Sequence, residues 1–279
     1  MNELVKSKRR IIMTIVYLLL IFASLMLLFP FFWMVTSSLK NDREVFAVPI
    51  QWIPTNPVWS NYTNIWTRIP LLTFLRNTAF LTVSVTFLQL LTSSFAAYAF
   101  SKLDFKAKNT LFLLYVGSIA VPWQAYMVLQ FIMFNTMGLN NTHVAIIILQ
   151  AFTAFGVFLM KQFYDSIPNE LIEAARIDGL SEYRIWRTII LPLSKPVIAT
   201  LTIFAFVFTW NDFLGPRLYL TSQNLWTVQI GMRIFIGQYA SEYGLVMAIA
   251  TVSLVPIIAV FLALQKFFVQ GIATSGLKG

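Results

Sequence analysis

The chain has no cysteine and very little charge. None of its 279 residues is Cys, which excludes disulfide bonds and metal sites built from thiolates. Charged residues make up 11% of the sequence, whereas soluble domains carry about 25%. So few charges cannot cover a water-exposed surface, and 58% of the residues are hydrophobic. The composition therefore predicts a protein that lies in a lipid bilayer.

Five long intervals contain no Asp, Glu, Lys or Arg and are candidates for transmembrane helices. They are residues 11–39, 77–101, 109–160, 196–211 and 243–265. About 20 apolar residues cross a bilayer core as a helix, so the third interval, of 52 residues, is long enough for two spans. The stretch NTMGLNNTH at 135–143 supplies Gly and Asn for a turn between them. The sequence therefore predicts an all-α polytopic protein with six transmembrane helices.

A further charge-free interval, residues 45–67, is not expected to span. It contains three prolines and three tryptophans. Prolines at this density would leave backbone groups unsatisfied in lipid, whereas indole rings settle at the membrane interface. We expect an external segment at the bilayer surface.

The orientation follows from the distribution of positive charge. All but six of the 20 Lys and Arg residues fall on one side of the six predicted helices; the six are Lys40, Arg43, Arg68, Arg76, Arg217 and Arg233. Positive residues stay inside, so both termini are expected in the cytoplasm of a multi-pass protein of the cell membrane. The net charge of +9 then requires no nucleic acid, because orientation and anionic lipid headgroups explain it.

One cytoplasmic loop, residues 162–195, is unusually rich in charge. Its central stretch EAARIDGLSEYRIWRTIILPL begins at Glu173. Local signals predict a first helix over 167–178 capped by Ser166 and stopped by Gly179, and a second helix capped by Ser181 that ends near residue 190. From the residues alone, the loop is either a solvated membrane face or a plug for a groove on a partner protein.

The spacing of this loop favours the second interpretation. Written as E-A-A-x3-G-x9-I-x-L-P, it resembles the signature loop of the membrane subunits of binding-protein-dependent ABC importers. Further stretches resemble the carbohydrate-uptake branch and are similar to the second permease subunit of maltose-type systems: AAYAFSKLDFK, GLNNTHVAIII, SIPNELIEAARIDG, FTWNDFLGP and GIATSGLKG.

The resemblance implies a type I importer permease that moves a sugar, with an oligosaccharide expected, by alternating access. It implies a second permease subunit, two cytoplasmic ATPase subunits and an extracytoplasmic sugar-binding protein as partners. Glu173 matches a glutamate that pairs with an ATPase arginine. The implied ATPase-coupling positions are Glu173, Ala174, Ala175, Arg176, Asp178, Gly179, Ile189, Leu191 and Pro192.

No catalytic residue, metal site or bound cofactor is expected in this chain. It lacks the Gly-Lys-Ser/Thr ending of a phosphate loop, so ATP and Mg²⁺ are expected on the ATPase subunits. The predicted division is residues 1–36 as an N-terminal segment and first helix, 37–76 as an external loop, 77–268 as the permease core and 269–279 as a cytoplasmic tail. The resemblance implies that Ser275 to Gly279 approach the ATPase interface, and a frayed end is the alternative.

Polar residues inside apolar runs are the candidates for a translocation pathway, because they usually face a cavity. They are Trp123, Gln124, Gln130, Asn211 and Asp212. Pro122 precedes the first of them and can break a helix where it lines a cavity. Trp123 can stack on a sugar ring or pack against lipid, and Asp212 can serve the pathway or a helix end. Both choices are open, and in maltose-type systems the partner permease holds most of the sugar.

Two other classes of function fit a polytopic chain. An ion-driven secondary transporter needs ionisable residues near the midplane and commonly shows inverted repeats, but Asp212 is the only candidate and no repeat is evident. An enzyme acting on lipid-linked sugars needs clustered acids or metal ligands at the membrane face, and the only acid cluster lies in the loop at 162–195.

Overall fold

The computed structural model describes residues 2–275, with side chains described from residue 9 to residue 267. Helix accounts for 78% of it, and these residues include no β-strand, which confirms the all-α prediction. The predicted cytoplasmic tail lies partly outside the described residues, because residues 276–279 are not among them.

The chain divides into two compact units. The first contains the chain up to Ile69 together with Met232–Ser253, and the second contains Pro70–Gly231 together with the chain from Leu254 onward. The helices of the chain, in order, are α1 Asn2–Ser38, α2 Asp42–Val45, α3 Ser60–Arg68, α4 Leu71–Lys102, α5 Lys108–Gly117, α6 Met127–Thr136, α7 His143–Gln150, α8 Ala154–Asp165, α9 Asn169–Ile177, α10 Glu182–Ile185, α11 Leu191–Leu193, α12 Lys195–Trp210, α13 Leu214–Tyr219, α14 Val228–Gln238 and α15 Tyr243–Ser275.

Among the residues that the structure describes, three helices are long and apolar enough to cross a membrane: Arg9–Ser38 within α1, the whole of α4, and Tyr243–Phe267 within α15. Two bent pairs, α7 with α8 and α10–α11 with α12, raise the number to five if each pair is one span. The turn predicted at 135–143 is present, since Gly138 and Asn141 both have positive φ.

In the first unit, buried polar groups hold the segment that follows α1. The Nζ of Lys40, a fully buried residue, donates to the carbonyl of Gln51 at 2.5 Å and lies 4.3 Å from the ring centre of Trp33. The side chain of Asn61 donates to the carbonyls of Ser38 and Lys40. The proline-rich interval contains no helix longer than the nine residues of α3, in keeping with the prediction that it does not span.

In the second unit, α4 is the central helix and packs against α8 and α12. Their shared core contains Ala97, Met160, Tyr164 and Leu201, all buried. Burial of such apolar surface contributes roughly 25 cal/mol per Å², so this core stabilises the packing of α4 against α8 and α12.

Besides the turn at 135–143, two breaks interrupt the apolar region between residues 109 and 160. The first lies between α5 and α6, where two 3-10 turns flank Pro122. The second lies between α7 and α8 and is only three residues long, with Thr153 capping α8 by accepting from the amide of Gly156. Proline cannot donate in a helix, so the break predicted at Pro122 has a local cause.

Candidate functional site

The charged loop folds as two short helical segments joined by a tight turn. Gly179 has φ +80° and follows α9, as predicted from the preference of glycine for the left-handed region. Ser181 caps α10 by accepting from the amide of Arg184, also as predicted. The predicted role of Ser166 is wrong: its hydroxyl donates to the carbonyl of Phe163 at the end of α8. A residue before proline avoids helical φ and ψ, so α9 starts only at Asn169, after Pro168.

The second segment is not a uniform α-helix. It begins as α10, continues as a π-helical turn over Trp186–Ile190, and ends as α11. Pro192 has no amide hydrogen for the bond that an α-helix would make to the carbonyl of Thr188, which favours an irregular turn here. The direction then changes by 81° into α12.

One face of α9 is free of internal partners. Glu173, Ala174, Ile177 and Asp178 are exposed, and Ile177 reaches 86% exposure. Neither Glu173 nor Asp178 makes a side-chain hydrogen bond or ion pair with any residue that the structure describes. This face, called the docking face below, presents an apolar side chain between two carboxylates.

The other predicted coupling positions support the loop from inside. Ala175 is only 6% exposed and packs with Ile172, Ile185 and Trp186 in the core of the second unit, so the smooth exposed flank of α9 is limited to Ala174 and Gly179. Ile189 and Leu191 pack against the same core, whereas Pro192 is exposed.

Arg176 and Glu182 form an internal pair within the loop. The Nε of Arg176 donates to Glu182 at 2.7 Å, which joins α9 to α10. This hydrogen bond lowers the pKa of Glu182 below its usual value of 4.5 and raises the pKa of Arg176 above its usual value. Arg176 is therefore oriented toward the fold and not toward the docking face.

A cavity of about 680 Å³ lies in the second unit beside both helix breaks. Aromatic side chains and a few polar groups line it: Trp123, Phe152, Phe155, Phe204, Phe208, Gln89, Gln124, Gln150 and Asp212. Of the pathway residues predicted from sequence, Trp123, Gln124 and Asp212 are thus brought together, although they are up to 89 positions apart in the chain.

Gln150 is the centre of the polar network at this cavity. Its side-chain amide donates to Asp212 at 2.6 Å and accepts from the hydroxyl of Thr209 at 3.1 Å. Its carbonyl accepts from the side chain of Gln89 at 2.7 Å, and Asp212 also accepts from the amide of Gly215. The network satisfies the backbone freed by the break after α7, as apolar surroundings require.

The remaining predicted pathway residues lie outside the cavity lining. Gln130 accepts from the indole Nε1 of Trp123 at 2.7 Å and so orients that ring. Asn211 is exposed and donates to the carbonyl of Val207. Gln130 therefore supports the cavity lining through Trp123, whereas Asn211 does not line the cavity.

Sequence reasoning missed Gln150 and Ile177. Gln150 follows the apolar run AIIIL, and a lone amide in such a run is a signal that could have found it. Ile177 gave no such signal, because an isoleucine in a short helix is ordinarily buried.

Comparison with known proteins identifies the chain. Residues 2–274 match the family described as binding-protein-dependent transport system inner membrane component. The chain belongs to this family. The permease is 31% identical over 261 residues to the arabinooligosaccharides transport system permease protein AraQ of Halalkalibacterium halodurans, covering 92% of this chain and 94% of that protein. It is 34% identical over 254 residues to the melibiose/raffinose/stachyose import permease protein MelC of Bacillus subtilis, covering 90% and 91%.

A solved structure also matches the permease. It is a bacterial ABC transporter involved in the import of the acidic polysaccharide alginate, with a TM-score of 0.80, 25% identity, and coverage of 93% of this chain and 97% of that chain. These matches confirm an ABC importer permease of the inner membrane and do not favour the ion-driven alternative.

Proposed function

We propose that this permease is one of two membrane subunits of an ATP-driven importer whose cargo is an oligosaccharide. In this proposal the chain crosses the membrane six times with both termini in the cytoplasm. The broken pair α5 and α6 forms one span, in addition to the five given by α1, α4, α15 and the two bent pairs. Relatives named for arabinooligosaccharides and for melibiose, raffinose and stachyose support an oligosaccharide cargo.

The chemistry of the cavity lining favours a neutral sugar over a phosphate ester as the cargo. A relative from Salmonella typhi, 29% identical over 265 residues and covering 92% of this chain and 94% of that protein, is named for sn-glycerol-3-phosphate transport. A phosphate ester needs cationic partners, but the cavity lining contains an acid, Asp212, and no Lys or Arg. Aromatic rings with a few amides suit a neutral sugar, whose ring faces are apolar and whose hydroxyls form hydrogen bonds.

The docking face is the proposed contact with the ATPase subunits. Glu173 and Asp178 are acceptors suited to an arginine of the partner, and Ile177 supplies the apolar anchor that protein interfaces place near their centre. ATP and Mg²⁺ bind the ATPase subunits in this proposal, and closure of the ATPase pair drives the change between outward and inward access.

The cavity is the proposed contribution of this chain to the sugar route. Trp123 is oriented by Gln130 and lies at the break after α5. Opening the route at this break disrupts the fewest helical hydrogen bonds, because the helix is already interrupted there. The second permease subunit supplies the opposite wall, and an extracytoplasmic binding protein delivers the sugar.

Purification of the intact complex from its native membrane tests the proposal. We expect two ATPase copies and a second permease subunit with this chain, and uptake in proteoliposomes that requires ATP inside and a sugar-loaded binding protein outside. Uptake by the chain alone, driven by an ion gradient, would overturn it. Competition by raffinose but not by sn-glycerol 3-phosphate is the expected cargo result, and the reverse pattern would overturn the assignment of a neutral sugar.

A further inference from the structure

Three residues on one face of α4 hold the charged loop. Ser94, Tyr98 and Lys102 are spaced four apart and therefore lie along the same side of the helix. Ser94 accepts from the indole of Trp186 at 2.8 Å, Tyr98 donates to Glu182 at 2.5 Å, and Lys102 donates to the carbonyl of Ile167 at 2.7 Å. The loop is thus bonded to α4 at three successive turns.

Glu182 joins both loop helices to α4 at once. One of its oxygens accepts from Tyr98 and the other accepts from Arg176. Arg176 also donates to the backbone carbonyl of Lys102 at 3.1 Å, at the end of α4. Charge-assisted bonds of this kind are the stronger hydrogen bonds in proteins, and both oxygens of Glu182 are engaged.

The same helix also holds the wall of the cavity. The side chains of Gln89 and Thr92 donate to the carbonyls of Gln150 and Ala151 at 2.7 Å each. These carbonyls lie at the break between α7 and α8. One continuous helix therefore bonds to the charged loop over its last turns and to the cavity wall near its middle.

We propose that Tyr98 and Glu182 are positioning residues that fix the charged loop to α4, so that a displacement of α9 by the ATPase moves α4 and the break at Gln150 as one body. The docking face binds the ATPase in this inference, while the inward bonds transmit the movement. Packed interiors deform little, so a loop bonded and packed on α4 carries that helix with it. The inference rests on the proposed function, because it requires an ATPase partner at α9.

The test compares Tyr98→Phe, Glu182→Gln and the double variant in the purified complex reconstituted into proteoliposomes. We expect every variant to retain its ATPase subunits and ATP hydrolysis, because the docking face is intact. Sugar molecules imported per ATP should fall several-fold in each single variant. The loss in the double variant should be smaller than the two single losses combined, since both changes act on the Tyr98–Glu182 bond.

Tyr183→Phe is the matched control, because Tyr183 neighbours Glu182 but is exposed and its hydroxyl makes no bond to a described residue; its import per ATP should equal the wild-type value. Unchanged import per ATP in Tyr98→Phe and Glu182→Gln would overturn the inference. Loss of ATPase subunits from these variants would also overturn it, by assigning the pair to docking. Absence of ATPase subunits from the wild-type complex would instead refute the proposed function.

Cross-linking provides a second test, in which a covalent link replaces the bond that the substitutions remove. The chain has no cysteine, so Tyr98→Cys with Glu182→Cys can be joined by a bifunctional thiosulfonate that bridges the space left by the two side chains, and the link can be reversed by reductant. A loop that moves with α4 predicts that linked complexes import at least as well as the same complexes after reduction. Import that is blocked by the link and restored by reduction would show that the contact must open, and would overturn the inference.

Discussion

The charged loop and the cavity network are two polar clusters that both form hydrogen bonds with α4. They differ in whether their polar groups are paired within the chain. In the loop, Arg176 and Glu182 are paired, whereas Glu173 and Asp178 have no partner among the described residues. In the cavity, Gln150 uses its side-chain donor, its side-chain acceptor and its carbonyl within the fold.

The difference has a physical reason. Water satisfies an exposed carboxylate at little cost, so a loop in water can keep unpaired charges available for a partner. An unpaired polar group in apolar surroundings costs several kcal/mol, so the cavity network must be satisfied within the chain. Unpaired groups therefore mark the proposed docking face in the loop, whereas in the cavity most of the hydrogen bonds hold the wall.

The largest expected effect is on the docking face. Glu173→Arg places a cation opposite the arginine proposed on the ATPase, and such like-charge contacts cost several kcal/mol. We expect ATPase binding to weaken by about a hundredfold or more, measured by titration of the ATPase onto the permease pair in nanodiscs. Asp104→Arg reverses an exposed charge outside the loop and should bind as the wild type does. Equal loss in both variants would mean that charge alone, and not the docking face, controls binding.

The next effect is on the cavity network. Gln150→Leu removes the partner of Thr209 and one partner of Asp212, and a buried polar group left without its bond costs about 1–3 kcal/mol. We expect the melting temperature of the purified permease to fall by several degrees. Gln124→Leu is the matched control in the same cavity, because Gln124 is exposed and makes no side-chain bond to a described residue. Similar melting of the two variants would contradict a structural role for Gln150.

A smaller effect is expected at the apolar part of the docking face. Ile177→Ala reduces the surface that is buried when the ATPase binds, and burial of such a side chain contributes about 1.5–3 kcal/mol. ATPase binding should weaken roughly tenfold without a change in melting temperature. Leu111→Ala, in α5 outside the charged loop and 48% exposed, should have no effect on binding. A change in melting temperature instead of binding would place Ile177 in the fold and not at the interface.

The smallest effect concerns pH. Arg176 lowers the pKa of Glu182 below 4.5, so the pair stabilises the loop fully above about pH 4.5 and loses that effect as the pH falls through the lowered pKa. Melting curves of wild type and Glu182→Gln should therefore differ at pH 7 and converge below about pH 4.5. Tyr183→Phe, which leaves the Arg176–Glu182 pair intact, should show the same pH dependence as the wild type. A difference between wild type and Glu182→Gln that persists at low pH would refute the ionic origin of the stabilisation.

Local signals predicted the local structure well. Gly179 and Ser181 hold the positions in the turn that their backbone preferences favour, because capping and positive φ depend on a few adjacent residues. Ser166 does not cap α9, since its hydroxyl donates to the carbonyl of Phe163 at the end of α8. The π-helical turn before Pro192 was not predicted, because proline rules locate a disruption but not the form it takes.

Pairing between distant residues was much less predictable. The division of the loop charges into an inward pair and an outward face depends on where the end of α4 lies, and no spacing within the loop contains that information. Gln130 and Asn211 were grouped with Trp123 and Asp212 as polar residues of apolar runs, yet only the latter two line the cavity.

The sequence by itself determined that this chain is an all-α membrane protein with a charge-rich loop spaced like the signature loop of ABC importer permeases, because scarcity of charge, long apolar runs and the spacing of the loop are properties of the chain alone. Only the tertiary structure decided which loop charges face outward, that Ala175 packs inward while Ile177 is exposed, and that Gln150 joins α4 to Asp212. Those outcomes depend on which helices become neighbours, and in this fold α4 brings together residues more than eighty positions apart.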